Sequence, residues 1–416
     1  MTITRPDQRS STRLVIALGA MVGLGPLTID MYLPALPSIV TDLGTTAPSV
    51  QLTLTGSLLG LGLGQLLVGP YSDAVGRRLP LVLGTLLHVL TSVLCAFTSD
   101  ITTLTVLRVL QGIGAAATTV VAMAVVRDLH DGRRAATMIS HLMLVTGVAP
   151  ILAPSLGSAV LLAGSWRWVF GALALIGAAL VAVAVFAVPE TLPPRRRAAH
   201  ALRPALQGFL TVLRDREFVV LTLVSGLAFG SVFAYISGAP FVLQHQYGLD
   251  ESEFGLMFGL GAVALVGGTQ LNPLLLRRFT PLQVMVAATA IATTTAGVLV
   301  FATTTSTSLT GFLVPLAIVI GSIALVTPNA TALALSQHGQ AAGTAASVLG
   351  AIRFGLGSAI APVVGVLGND STATAVVMTG SAAAALLFTL SLRPRRSSAT
   401  RQEENQLAPL PAQARG

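Results

Sequence analysis

The sequence predicts an all-α integral membrane protein with twelve transmembrane helices, arranged as two pseudo-symmetric six-helix halves. Three observations predict it. Of the 416 residues, 53% are hydrophobic and 10% charged, with a mean hydropathy of +0.81, well outside the range of soluble domains. Apolar runs of about 20 residues, long enough to cross a hydrocarbon core, recur twelve times. The arginines between the runs fall almost entirely on one side of the pattern.

Residues 1–13 carry Arg5, Arg9 and Arg13 ahead of an apolar run, which mimics a signal peptide. No small-residue cleavage site follows, so the run is expected to stay as a signal-anchor and first span. In the first half, 14–188, the runs lie at 14–36, 49–69, 79–98, 101–125, 137–163 and 166–188. An Arg- and Pro-rich linker at 189–216 separates them from the second half, 217–392, with runs at 217–243, 253–275, 281–303, 309–335, 341–367 and 371–392. The tail, 393–416, is polar and has no apolar period, so disorder is expected.

Orientation follows from arginine placement, because positively charged loops stay in the cytoplasm. Arg77 and Arg78, Arg133 and Arg134, the run from Arg195 to Arg216, Arg277 and Arg278, and the tail from Arg393 share a side with the N-terminus. Both termini are therefore expected in the cytoplasm. The opposite loops hold only Arg167 and carry Asp42, Asp100, Asp250, Glu251, Glu253 and Asp370. The loop near His338 is assigned to the cytoplasm although it has no arginine. The halves echo one another: Gly69-Pro70 and Arg77-Arg78 around the second and third runs match Asn272-Pro273 and Arg277-Arg278 around the eighth and ninth.

Composition also excludes function classes. All 24 basic residues are arginine, and a chain without lysine has neither a Walker A lysine nor a pyridoxal Schiff base. A net charge of +8 and a pI near 11.0 suit nucleic acid, but the arginines are dispersed between apolar runs, so no nucleic-acid partner is expected. Cys95, the only cysteine, excludes an intramolecular disulfide and a cysteine-based metal site. No His-Glu-x-x-His pattern and no strand–turn–helix context for nucleotide binding are present. The chain is expected not to be an enzyme and to need neither cofactor nor metal.

Three formal charges lie well inside the runs: Asp30, Arg108 and Arg353. An ionisable group there is expensive, about 2.5–3.5 kcal/mol at a helix centre, and normally faces a cavity or a partner. Asp30 lies between Pro26 and Pro34, where an irregular helix frees backbone groups. It is the best candidate for a proton or cation site; hydration at the outer interface is the alternative. Counted inward from the outer ends, Asp30 is six residues deep and Arg108 seven, about 10 Å each, so the two are expected in one layer and able to pair. Arg353, about 18 Å into the eleventh run, is open to substrate contact or to a salt bridge with Asp30. His88 and His141 are either proton relays or, more simply, hydrogen bonds between packed helices.

The stretch Gly69-Pro70-Tyr71-Ser72-Asp73-Ala74-Val75-Gly76-Arg77-Arg78 resembles the signature between spans two and three of the major facilitator superfamily. Leu107-Arg108-Val109-Leu110-Gln111-Gly112-Ile113-Gly114 resembles the fourth-span motif of its proton-coupled members. Gly147-Val148-Ala149-Pro150-Ile151-Leu152-Ala153-Pro154-Ser155-Leu156-Gly157 resembles the fifth-span antiporter motif, departing from the commoner pattern at Ala149 and at Ser158, where a second glycine is usual. Ile29-Asp30-Met31-Tyr32-Leu33-Pro34-Ala35-Leu36-Pro37, with Trp166-Arg167-Trp168, Pro189-Glu190-Thr191-Leu192 and Pro328-Asn329-Ala330, resembles the Bcr/CflA group of drug:proton antiporters.

The resemblance implies alternating-access efflux of small amphipathic drugs from a bacterial cytoplasmic membrane by a monomer, driven by the proton gradient. Export of an amino acid or another metabolite on the same fold is the alternative. It also implies a cytoplasmic gate in which Asp73 caps a facing helix N-terminus and Arg77 pairs with Asp128.

Overall fold

The computed structural model describes residues 8–130, 132–197, 202–305, 308–336, 338 and 342–392. Among them the regular structure is helical throughout, and twelve segments are long and apolar enough to cross a membrane.

The first span is broken. Helix α1 (Gln8–Asp30) ends at the predicted irregularity, a 3-10 turn (Leu33–Ala35) follows, and α2 (Leu36–Asp42) completes the crossing. Pro34 and Pro37 lack the N–H groups that would continue the ladder, which is why the helix breaks there. The span therefore reaches Asp42 rather than residue 36, because Ser38, Thr41 and Asp42 make a polar end that hydropathy reads as loop. Asp30 lies twelve residues from that end, roughly 18 Å at the helical rise, and is deeper than its sequence position suggested.

The remaining spans of the first half are α3 (Ala47–Val75), α4 (Arg78–Phe97), α5 (Ile101–Leu129), α6 (Gly132–Leu162) and α7 (Arg167–Phe186). The linker expected at 189–216 is not all loop: α8 (Leu202–Leu213) is an amphipathic helix inside it. The second half comprises α9 (Arg216–Pro240), prolonged by a π-helical turn (Phe241–Gln246), then α10 (Glu251–Leu275), α11 (Pro281–Thr304), α12 (Leu309–Ser336), α13 (Ala342–Val366) and α14 (Ser371–Leu390). The tail and its expected disorder lie outside the described residues.

The acidic residues of the arginine-poor end have a local cause. Asp100, Asp250 and Asp370 are N-caps of α5, α10 and α14, each accepting a hydrogen bond from a first-turn backbone N–H. Small residues bring the helices together within each half. A Cβ at Gly60 of α3 would collide with the Val109 carbonyl of α5, and one at Gly112 with the Ser57 carbonyl, so only glycine permits this crossing.

Between the halves α3 packs along α13 and α6 along α10. Among the described residues, the hydrogen bonds that cross from one half to the other cluster toward the acidic end. Gln51 donates to the Ser237 carbonyl and to Asn369, Thr55 to the Ser358 carbonyl, Ser158 to the Glu251 carbonyl and Gln244 to the Pro34 carbonyl. Ser158, the departure from the fifth-span motif, thus joins the two halves.

Candidate functional site

Arg108 is the largest fully buried side chain and organises a polar network inside the first half. Its Nη1 donates to the Thr28 carbonyl at 3.0 Å and to Gln111 Oε1 at 2.6 Å. Thr28 lies in the last turn of α1, where carbonyls have no intrahelical donor, so the break that exposes them also supplies the guanidinium with an acceptor. The guanidinium carbon sits 4.5 Å from the Tyr32 ring centroid and 5.7 Å from that of Phe170, within cation–π range. Nε and Nη2 have no hydrogen-bond partner.

The network continues into α4. Gln111 Nε2 donates to Ser92 Oγ at 2.7 Å, and Ser92 Oγ donates to the His88 carbonyl. The Thr28 hydroxyl donates to the Leu24 carbonyl at 2.6 Å and therefore accepts from His88 Nε2, 2.8 Å away, which assigns the His88 proton to Nε2. His88 is a helix-packing hydrogen bond, the simpler of the two readings its sequence position allowed. His141 is exposed instead, lining a groove of about 540 Å³ between α1 and α6 with Val15, Ile16, Gly19, Ala20 and Val145.

Asp30 is 4% exposed and makes no ion pair or side-chain hydrogen bond with the described residues. The pairing with Arg108 that depth suggested does not form: Arg108 Nη1 is held by Thr28 and Gln111, and neither Nε nor Nη2 bonds Asp30. Gly157 of α6 presses on the Met31 carbonyl, where a Cβ would collide, so the antiporter-like segment abuts the chain break beside Asp30. Pro150 and Pro154 lie inside α6, and Gly147 approaches Val266 of α10.

Arg353 does not bridge to Asp30 either. Its guanidinium carbon lies 4.8 Å from the Phe229 centroid and 5.3 Å from that of Phe354, and it forms no hydrogen bond or ion pair with the described residues.

At the arginine-rich end, Arg77 is 6% exposed and held on three sides. Its Nη1 meets Asp73 at 2.5 Å and Ser72 at 2.8 Å, and its Nε meets Asp128 at 2.8 Å. Thr191 also donates to Asp128. Burial works against the Arg77 charge, but Asp128 and Asp73 outweigh it and raise its pKa. Glu190 accepts from the backbone N–H groups of Arg77 and Arg78 at the start of α4, and from that of Leu192. Burial pushes the Glu190 carboxyl up, yet these donors and nearby Arg197 hold it below its ordinary range. Gly76 is left-handed at φ 106°, and a Cβ there would meet the Glu190 carboxylate. Arg78 turns outward to the Val185 carbonyl. Gly69 approaches Ser347 of α13. Among the described residues Asp73 bonds Arg77 and makes no bond to the N-terminus of a facing helix, the role expected of it.

The opposite end has its own clamp. Asp42 accepts from Trp166 Nε1 at 2.9 Å and Arg167 Nη1 at 2.5 Å, while Arg167 reaches the Thr98 carbonyl, tying the first, third and sixth spans.

Sequence reasoning missed Thr28, Tyr32, Ser92 and Gln111 as members of the buried network. One signal was available: Gln111 stands three residues after Arg108, and Ser92 four after His88, spacings that share a helix face.

Similarity to known proteins agrees with this architecture. An uncharacterized MFS-type transporter, YdgK of Bacillus subtilis, is 38% identical over 374 residues, covering 88% of this chain and 92% of the relative. A bicyclomycin resistance protein homolog of Haemophilus influenzae is 28% identical over 90% of this chain and 94% of its own. The multidrug resistance protein MdtL of Escherichia coli is 30% identical over 66% of this chain and 69% of its own. The solved xylose transporter XylE of E. coli, in a partially occluded inward-open conformation, superposes with a TM-score of 0.70 at 15% identity, over 92% of this chain and 100% of that one. Residues 18–362 match the profile of the Major Facilitator Superfamily, and with twelve spans in that fold the chain belongs to this superfamily of transporters.

Proposed function

We propose that the chain exports small amphipathic compounds, antibiotics among them, in exchange for protons, as a monomer in a bacterial cytoplasmic membrane with both termini in the cytoplasm. The observation that carries this reading is Asp30, a buried carboxyl without a partner among the described residues at the break of the first span. A carboxyl in that position holds a proton or a cationic group of a substrate, not both, which is the exclusivity that exchange requires. Arg108 of α5 is held at the Thr28 carbonyl, two residues before Asp30 on α1. Relatives named for bicyclomycin and multidrug resistance support the substrate class.

In this reading the halves rock about the buried site. The Arg77–Asp128 cluster steadies the cytoplasmic end, and the bonds of Gln51, Thr55, Ser158 and Gln244 close the other. One proton crossing 100 mV releases about 2.3 kcal/mol, so a single titrating carboxyl supplies a usable drive. The test is proton movement on adding amphipathic antibiotics to everted vesicles bearing wild type or Asp30→Asn, a near-isosteric change. Wild type is expected to exchange protons for drug and the variant to lose at least tenfold in rate. Normal exchange by Asp30→Asn overturns the role of Asp30, and no exchange by either protein overturns drug antiport.

A further inference from the structure

Among the described residues Asp30 and Arg353 make no side-chain hydrogen bond or ion pair, and their relative height is fixed by α3, which touches both neighbourhoods. Tyr32, two residues past Asp30, bonds Thr53 of α3 at 2.9 Å. Farther along α3, Gly62 lies against Ala351 and Phe354, and Leu58 against Gly357. Arg353 therefore stands about six residues of α3, roughly 9 Å, nearer the arginine-rich end than Asp30. Arg108 has no carboxylate partner among the described residues either, but it is fully buried, with Nη1 held by a backbone carbonyl and Gln111 and the Tyr32 ring against its guanidinium, whereas Arg353 is only half-buried and open to a ligand. What remains is an unpaired carboxyl and an unpaired guanidinium at different depths, with Phe229 and Phe354 flanking the second.

An unanswered guanidinium is costly inside a membrane protein unless something arrives to meet it. A ligand acid offers Arg353 the paired hydrogen bonds that guanidinium geometry favours, and the two phenyl rings offer its apolar body a surface. If the same ligand is to displace the proton from Asp30, its other end must be cationic, because a purely anionic ligand would instead favour the proton there.

Resting on the exchange reading above, we infer that the transported compounds are amphipathic zwitterions, with an acid group anchored on Arg353 and an ammonium directed to Asp30. Arg353 is then the residue that selects substrate charge, separate from the carboxyl that couples transport to protons.

The experiment is calorimetric titration of the full-length protein in nanodiscs with four probes: para-(aminomethyl)benzoate, its methyl ester, para-toluate and para-methylbenzylamine. Wild type is expected to bind the zwitterion roughly tenfold or more tighter than any single-charge or ester probe, the scale of one charge-assisted hydrogen bond. Arg353→Gln should bind zwitterion and ester alike, and Arg353→Lys should keep part of the preference. An ester bound as tightly as the zwitterion by wild type overturns the inference without recourse to any variant. So does a preference that survives in Arg353→Gln. Proton release is recorded in the same vesicles used for antibiotics: Arg353-dependent binding without proton exchange leaves the charge selection standing and removes the exchange reading. Proton exchange that ignores the substrate acid does the reverse.

Discussion

The connection from α3 to α4 and the loop from α10 to α11 occupy corresponding places in the two halves, and each carries an Arg-Arg pair. In the first, Arg77 is buried among Asp73, Asp128 and Ser72, with Glu190 capping the next helix. In the second, Arg277 and Arg278 are exposed and make no ion pair among the described residues, and the one buried polar contact nearby is neutral, Asn329 donating to Asn272 at 2.6 Å. The second copy is shorter and has no acid between Pro273 and Arg277. Both copies of the pattern carry the arginine pair, and only the first forms a charge cluster. Arginines stand at both places, and the buried one, Arg77, is matched by two carboxylates.

The comparison breaks most sharply at Arg77. Arg77→Ala leaves Asp128 facing no cation and is expected to cost about 3 kcal/mol of unfolding stability in detergent, the scale for removing one partner of a buried pair. Gly76→Ala combines a left-handed backbone with a collision against Glu190 and should cost about 2 kcal/mol. Glu190→Gln weakens the cap on α4 and should cost about 1 kcal/mol. Because the folded Glu190 carboxyl titrates below its ordinary 4.5, its contribution is complete above that value and fades as pH falls through the lower, folded one. Wild type should therefore lose this increment on acidification and Glu190→Gln should not, as read by melting at stepped pH. Arg277→Ala should shift stability by less than about 0.5 kcal/mol. Equal losses at Arg77 and Arg277 would erase the distinction between the loops.

Much of this was legible in the sequence because a bilayer admits few solutions: twelve apolar runs must be twelve helices, and a Pro-flanked Asp30 must sit where a helix fails. The Arg77 cluster was legible as a family pattern, and Asp128 lies where the pattern put it. Three features were not. The polar ending of the first span concealed its full length and so the depth of Asp30. The linker's arginines and prolines masked α8, whose apolar face needs neighbours that a sequence window does not include. The partner of Arg108 is a main-chain carbonyl, and no residue type announces one. Depth counting placed Arg108 and Asp30 together, but the guanidinium turns its Nη1 to the open end of α1 instead.

The clamp around Asp42 has an optical consequence. Both tryptophans of the chain stand at the start of α7, Trp166 2% exposed beneath the Arg167 guanidinium and Trp168 63% exposed. Intrinsic indole emission thus reports on a single end of this protein: a shielded fluorophore capped by a cation beside a peripheral one, with no third source to dilute them. Any loosening of the Asp42–Trp166 bond would be recorded without attaching a label.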